Sequence, residues 1–364
     1  MSKNQHLVRI KIAAVFLFCC FCACTDSPRS NQHVNKSATR TIQPFSKESI
    51  NFYPFRISVI NKSLLVSPIG GIEGFIFSVF DKQSLKQGES IVKMGEGPDE
   101  IQSCYSISKI NAHEFSVYDN RKNKFNIYKL EDLLTNPNAA PSSSIILEER
   151  NLHQPMTIDK NRIISTTLSA KKLNRFLVHD MGGEFLFGSQ DYPEVNPKID
   201  TIGIPEALRC TFCGNPEERY IVSSYLNYNR IDFYKFDREL KIDLLNTVSF
   251  EDPFEAVFES EISNGAHTLF SITDKTREAF FSIRCNADRV FMLFSGRLLE
   301  ETGRERSIMD NHCNRLLEFR SDGEFLNEFI LNQPILTQFD IEDRVLYGFS
   351  EANDMEIISY KIPL

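Results

Sequence analysis

The side chains best suited to metal or thiol chemistry in this 364-residue chain are its nine cysteines and seven histidines. Four of the cysteines fall within six positions, "CCFCAC", residues 19 to 24. A metal or redox site built there would need polar groups around its ligands. This run instead follows "AAVFLF" and precedes "TDSPRS". Farther along, "CTFC" (Cys210 to Cys213) has no second C-x-x-C to complete a four-sulfur zinc site. In an extended strand its two sulfurs point to opposite faces and cannot bridge each other. Cys104, Cys285 and Cys313 are scattered, and buried free thiols are their expected state. His179 and Asp180 form a possible acid/base pair, but "MGGE" follows at once and a turn role is favoured. His312 beside Cys313 has no third ligand in view. No G-x-S-x-G, H-E-x-x-H or calcium-loop pattern is present, so no metal, cofactor or catalytic residue is expected.

The flanks of the cysteine cluster explain it. "MSKNQHLVRIK" carries Lys3, Arg9 and Lys11 without an acid, and an apolar run from Ile12 to Ala23 follows. That is a signal-peptide pattern, too short for a spanning helix, which needs about 20 apolar residues. "FCAC" resembles the lipobox of bacterial lipoproteins, in which a small residue precedes a cysteine that is acylated and becomes the new N-terminus. Ala23 is then the small residue and Cys24 the lipidated one, with Phe21 where Leu is usual. An ordinary cleaved signal is the alternative. Residues 1–23 are read as a lipoprotein signal peptide, 24–46 as a flexible tether and 47–364 as the folded domain. The expected address is the cell envelope, as an outer-membrane lipoprotein facing the periplasm or the surface.

Cleavage before Cys24 removes three positive charges and no negative ones, taking the formal net charge from −8 to −11. Such a surface repels phosphate backbones, and nucleic acid is excluded as a partner. Thirty Phe and no Trp argue against Trp platforms for sugars, although eleven Tyr offer a partial substitute. The Ser, Thr, Asn and Pro-rich stretch from Thr25 to about Ser46 lacks the apolar content to fold. Taut, some 20 residues of it reach roughly 70 Å.

Beyond Phe55 the chain offers short runs of β-branched and aromatic residues separated by turns. Six segments superimpose: residues 62–81, 113–130, 161–180, 219–237, 288–323 and 343–362. Each is an apolar strand, a polar turn and a second strand that alternates, as Phe125 and Ile127 do against Lys124, Asn126 and Lys129. The period is about 50 residues, interrupted once by a charged insert, "GRLLEETGRERSIMDN". Several units add a strand after the pair ("GGEFLFG", "GEFLNEFIL") and one before it ("QSCYSISKI", "QPMTID", "ALRCTF"). Four strands per unit at this period predict an all-β fold, a six-bladed β-propeller of four-stranded antiparallel blades. A degenerate seventh blade and a pair of β-sandwiches are the structural rivals. "SINFYPFRISVI" is expected to lend a strand to the last blade, and "EDPFEAVFESEI" to form a short helix.

Between the first two units lies "IVKMGEGPDEIQS". Its "GEGPDE" resembles the G-x-G-P-G-E element that follows the first blade in a family of Bacteroidota lipoproteins similar to TolB-like six-bladed propellers. Gly95, Gly97, Pro98 and Glu100 match, and Asp99 replaces a glycine. The resemblance implies a fold and an address but no reaction. Physically, Gly95 and Gly97 are expected to supply positive φ and Pro98 to fix a turn between blades. Glu100 would then hydrogen-bond backbone donors or point into the central funnel.

The innermost strands of a propeller line its channel, and these strands supply Tyr105, Gln154, Arg209, Arg277, Arg284 and Asp340 as candidate ligand-binding residues. Arginines converging on one funnel suit an anionic ligand or an acidic partner loop. The leading expectation is a non-catalytic binding module, anchored to a membrane by its N-terminal lipid and capturing a glycan, a peptide or another envelope protein. The alternatives are a propeller enzyme (lactonase, lyase or hydrolase) and a structural subunit of an envelope assembly.

Overall fold

The computed structural model describes residues 32–34, 39–167, 174–193, 208–251, 254, 258–263, 267–273, 275–298, 312–336, 338–351 and 354–364. Each of the six sequence repeats is the central hairpin of one blade. The first blade runs outward from the axis as Pro54–Ile60, Ser63–Pro68, Phe75–Asp81 and Gln87–Lys93. The second comprises Cys104–Lys109, Glu114–Asp119, Lys124–Lys129 and Ser143–Ile146. The third comprises Leu152–Asp159, Arg162–Thr167, Asn174–Asp180 and Phe185–Asp191. Cys210–Asn215, Tyr220–Tyr225, Ile231–Phe236 and Ile242–Phe250 form the fourth. Phe280–Asn286, Arg289–Phe294, Cys313–Arg320 and Phe325–Ile335 form the fifth. The sixth has only three strands from the C-terminal end, Phe339–Glu342, Val345–Ser350 and Glu356–Lys361. Its outer strand is Pro44–Ser49, paired antiparallel with Glu356–Lys361. The ring is therefore closed by joining the two ends of the domain in one sheet.

The inner strands touch in cyclic order, blade one against two, two against three, and finally six against one. Six apolar clusters fill the six interfaces. Between blades one and two, Leu65, Phe77 and Ile91 meet Phe115, Val117 and Tyr128. Between four and five, Val222 and Phe233 meet Phe280, Met292 and Phe294. Between six and one, Tyr347, Phe349 and Ile357 meet Ile57, Val59 and Leu64. Phenylalanines pack across these interfaces because facing sheets leave a broad slot that flat rings fill edge to face, as Phe77 on Phe115 (centroids 6.0 Å) and Phe176 on Phe212 (5.8 Å). The aspartates that close three of the repeats have a local cause. Asp81 and Asp180 end the third strands of their blades and Asp237 directly follows its own, and each carboxylate accepts backbone N–H bonds from the turn that follows. Asp180 takes Gly182 N–H at 2.8 Å and Glu184 N–H at 2.9 Å, while His179 is fully buried against Phe185.

Three local expectations change. Within "SINFYPFRISVI", Pro54–Ile60 is the inner strand of the first blade. The closing strand lies just upstream at Pro44–Ser49, because the Ser and Lys positions there suit an exposed edge. Part of the expected tether is likewise paired. Thr39–Ile42 runs parallel to the outer strand of blade five, and Gln32–Val34 runs parallel to that of blade four. Ile42 is buried there, and Thr39 Oγ1 donates to Glu328 at 3.0 Å. One buried isoleucine and a row of edge hydrogen bonds compensate for a composition that reads as unstructured. Finally, within the expected helix over residues 251–262, Phe258–Ser263 is a strand paired with His267–Ile272. The aromatic and β-branched residues of the two segments favour paired strands over a helix. The helix that the described residues do contain, α1, is Leu130–Thr135, between the third and outer strands of blade two. The signal peptide, Cys24, the rest of the tether and residues 299–311 of the charged insert lie outside the described residues.

Candidate functional site

All six inner strands run in the same direction, so their first residues gather at one end of the channel, the upper mouth, and their last residues at the other. At the upper mouth stand Arg56, Tyr105, His153 and Arg209, from blades one to four. Arg56 Nε donates to the Tyr105 carbonyl at 3.1 Å, and its guanidinium lies 4.0 Å from the Phe55 ring centre. Among the described residues no carboxylate pairs with it. Burial pulls the Arg56 guanidinium down to about 10, and the charge of Arg284 pushes the same way. It remains a cation at neutral pH. The Tyr105 ring packs edge-on against His153, 5.6 Å between centres. His153 is only 8% exposed, and burial, followed by the charges of Arg56 and Arg209, pushes it down to about 3. It is therefore a neutral imidazole among cations.

The lower mouth holds a cavity of about 300 Å³, walled by residues from all six inner strands. Arg284 and Asp340 face each other across the interface of blades five and six, Nε to Oδ1 3.4 Å. Asp340 is chiefly a backbone clamp: its Oδ2 accepts Val59 N–H of blade one at 2.7 Å and its Oδ1 accepts Ile341 N–H at 2.9 Å. Glu342, on the same strand, receives Lys82 on one oxygen and Lys109 on the other. Burial alone would raise the Glu342 carboxyl, but the two ammonium groups hold it below its usual range. The disulfide Cys213–Cys285 joins the inner strands of blades four and five in this wall, with Cα atoms 5.6 Å apart.

The sequence-derived candidates divide accordingly. Tyr105 and Arg209 belong to the upper mouth, and Arg284 and Asp340 to the lower. Gln154 sits at a bulge in its strand with φ 51°, and its Oε1 accepts Phe212 N–H at 3.2 Å, stapling blade three to blade four. Arg277 precedes the inner strand Phe280–Asn286, is exposed, and bonds to the Gly296 carbonyl. It does not join the channel, because the chain is still crossing from blade four when it passes that residue. Arg56 and His153 escaped sequence reasoning. Arg56 lay in a segment assigned to the wrong blade, and a correct register would have placed it beside Tyr105. The disulfide corrects the expectation of a free thiol at Cys285, which pairs with Cys213. Each sits near the end of an inner strand, and those strands are neighbours in the ring. Cys104, Cys210 and Cys313 are buried free thiols, with burial raising Cys104 to about 12 and Cys210 to about 11.

The "GEGPDE" loop links the outer strand of blade one to the inner strand of blade two. Glu100 folds back within it: Oε2 accepts Gly97 N–H at 2.8 Å and Oε1 pairs with Lys93 at 2.6 Å. Lys93, then Gly97 N–H, hold its carboxyl below the usual range. Lys122 from blade two donates to the carbonyls of Gly97 (2.7 Å) and Glu100 (2.8 Å). The glycines serve clearance. A Cβ on Gly95 would lie 2.1 Å from Glu100 Oε2, and one on Gly97 2.9 Å from Glu100 Cδ. Gly97 needs no positive φ, contrary to expectation.

Among the described residues no three His, Cys, Asp or Glu side chains gather as a metal site, and no helix is long and apolar enough to cross a membrane. No curated protein matches the chain in sequence. Among solved structures it is similar to a candidate exported protein of Bacteroides fragilis, with TM-score 0.52 and 11% identity over 90% of this chain and 100% of that one. It is also similar to hydrazine synthase of Kuenenia stuttgartiensis (TM-score 0.44, 10% identity, 84% and 83% covered). A luciferin-regenerating enzyme is a third (TM-score 0.43, 10% identity, 88% and 93% covered). At these identities the likeness is one of fold. With six closed blades and a family profile that matches residues 34–344, the chain belongs to the TolB-like 6-blade propeller-like family.

Proposed function

We propose that this protein is a non-catalytic binding propeller of the cell envelope, displayed through an acylated Cys24, that captures an anionic glycan, an acidic peptide or an acidic loop of an envelope partner at its upper mouth. Arg56 carries the reading. A half-buried guanidinium, bonded to one carbonyl and lacking a carboxylate among the described residues, is an arrangement that an anionic ligand would stabilise. Arg209 of blade four brings a second cation to this mouth, and the neutral His153 adds no negative charge. The disulfide supports an oxidising compartment outside the cytoplasm. An enzyme reading asks for carboxylates free to act on substrate, and Asp340 and Glu342 are each committed to several partners.

The anchor is tested by labelling with a radioactive fatty acid: the wild type incorporates label and Cys24→Ser does not. The binding reading is tested by screening acidic and neutral glycans and peptides against the wild type and Arg56→Gln. Acidic ligands alone should bind, and the variant should weaken them at least tenfold. Equal capture of neutral ligands, or no response to Arg56→Gln, refutes it.

A further inference from the structure

At the lower mouth, several polar groups around the cavity make no side-chain hydrogen bond among the described residues. They are the Ser58 and Ser108 hydroxyls and the Asn286 amide, on the inner strands of blades one, two and five. Ser58 is only 4% exposed, and the cavity it lines is where its hydroxyl can find a partner. Arg284 has spare capacity too. Its Nε reaches Asp340 at a long 3.4 Å and its Nη1 donates to the Ile283 carbonyl at 2.8 Å, leaving Nη2 uncommitted. Of the charged residues that line the cavity, Lys109 and Arg284 are matched by Glu342 and Asp340, and Lys82 reaches Glu342 from outside the lining, adding one positive charge nearby. Apolar patches from Ile107, Met156 and Ile283 complete the lining.

We infer that this cavity is a second ligand site, separate from the upper mouth, and that it takes a polyhydroxylated monocarboxylate of monosaccharide size. The carboxylate meets the uncommitted Arg284 Nη2 and the Lys109 ammonium, with the Lys82 charge behind Glu342. Hydroxyl groups of the ligand, each both donor and acceptor, satisfy Ser58, Ser108 and Asn286, which present one of each kind. A volume of about 300 Å³ lies at the small end of ligand cavities and excludes a polymer. The Cys213–Cys285 bridge and the Asp340 clamp on Val59 hold four of the six walls in place before the ligand arrives, which limits the ordering cost of binding.

The test is calorimetric titration of the full chain with D-glucuronate, using D-glucose as the uncharged probe. Glucuronate should bind and glucose should bind at least tenfold more weakly. Arg284→Gln should weaken glucuronate at least tenfold and Asn286→Ala about three- to tenfold, and Arg56→Gln is titrated alongside. Circular dichroism checks that each variant is folded. Should Arg284→Gln fail to fold, Asn286→Ala and Ser58→Ala carry the test, each with the same three- to tenfold loss expected. The inference is overturned by equal affinity for glucose, by no binding at 10 mM, or by affinity that survives every lower-mouth variant. A loss confined to Arg56→Gln would place the acid at the upper mouth, overturning this inference and leaving the proposed function standing.

Discussion

Acid should unfold this protein earlier than its carboxylates alone would dictate, and His153 is the reason. Its imidazole is held at about 3 in the folded chain against 6.5 for an ordinary histidine, first by burial and then by Arg56 and Arg209. The unfolded chain therefore binds one more proton than the folded one throughout that window, and stability rises with pH across it. The contribution is fully present above 6.5 and is lost as pH falls towards 3, a total on the order of 5 kcal/mol. At pH 5.0, where most carboxylates are still ionised, about 2 kcal/mol should already be gone. Urea denaturation at pH 7.5, 6.0 and 5.0 reads this directly, with wild type compared against His153→Gln, which keeps a polar side chain without the titration. The variant should lose stability at pH 7.5 through poorer packing, yet its curve should be flatter by about 2 kcal/mol between pH 7.5 and 5.0. Parallel pH curves for the two proteins would refute the assignment. So would an NMR titration of His153 with a midpoint near 6.5.

Other outcomes follow from the same geometry. Asp232 is fully buried and receives Arg175 (2.7 Å), Arg230 (2.8 Å), Tyr225 (2.9 Å) and Thr247 (2.7 Å) between blades three and four. Asp232→Ala should cost about 3–5 kcal/mol, whereas Arg175→Met with Asp232→Leu should cost far less, since no buried charge is then left alone; thermal unfolding distinguishes the two. Removing the 72-residue cross-link with Cys213→Ala and Cys285→Ala should cost about 4 kcal/mol by loop-closure entropy, and a reductant should lower the wild-type denaturation midpoint but not that of the variant. Gly95→Ala should destabilise by about 1–3 kcal/mol through its collision with Glu100, and much less on a Glu100→Ala background, a non-additivity that a double-mutant cycle measures. Glu342→Gln should flatten the stability curve only below about pH 4.5, because its depressed carboxyl contributes above that value and is lost as pH falls through the folded one.

How the chain could be read reflects which physical signals are local. Hairpins announce themselves through alternation and a turn aspartate, so Phe125, Ile127 and Asp180 located their strands without tertiary information. Ring closure is a pairing between residues about 310 positions apart, Glu356 with Ser49, and no local pattern carries it. The added strands at Thr39–Ile42 and Gln32–Val34 were illegible for a related reason. Their stability comes from hydrogen bonds to an edge that exists only once the blades have formed. Arg284 and Asp340 were recognisable as inner-strand residues, but the strand reading did not separate the two mouths. That division emerges from the shared direction of the six strands, which a list of polar positions does not contain. The Cys213–Cys285 bond was hidden because the strand geometry that forbids Cys210 from reaching Cys213 says nothing about a neighbour 72 residues away.

The belt of N-terminal strands also sets a leash. Read from composition alone, the segment after Cys24 was a long mooring line. With pairing already begun at Gln32, only eight peptide links separate Cys24, the proposed site of acylation, from the rim of blade four, a reach of no more than about 27 Å. If Cys24 is the anchor proposed above, so short a reach makes the body ride low over the bilayer, tilted towards its fourth blade. Its partners would have to come within that narrow layer to be caught.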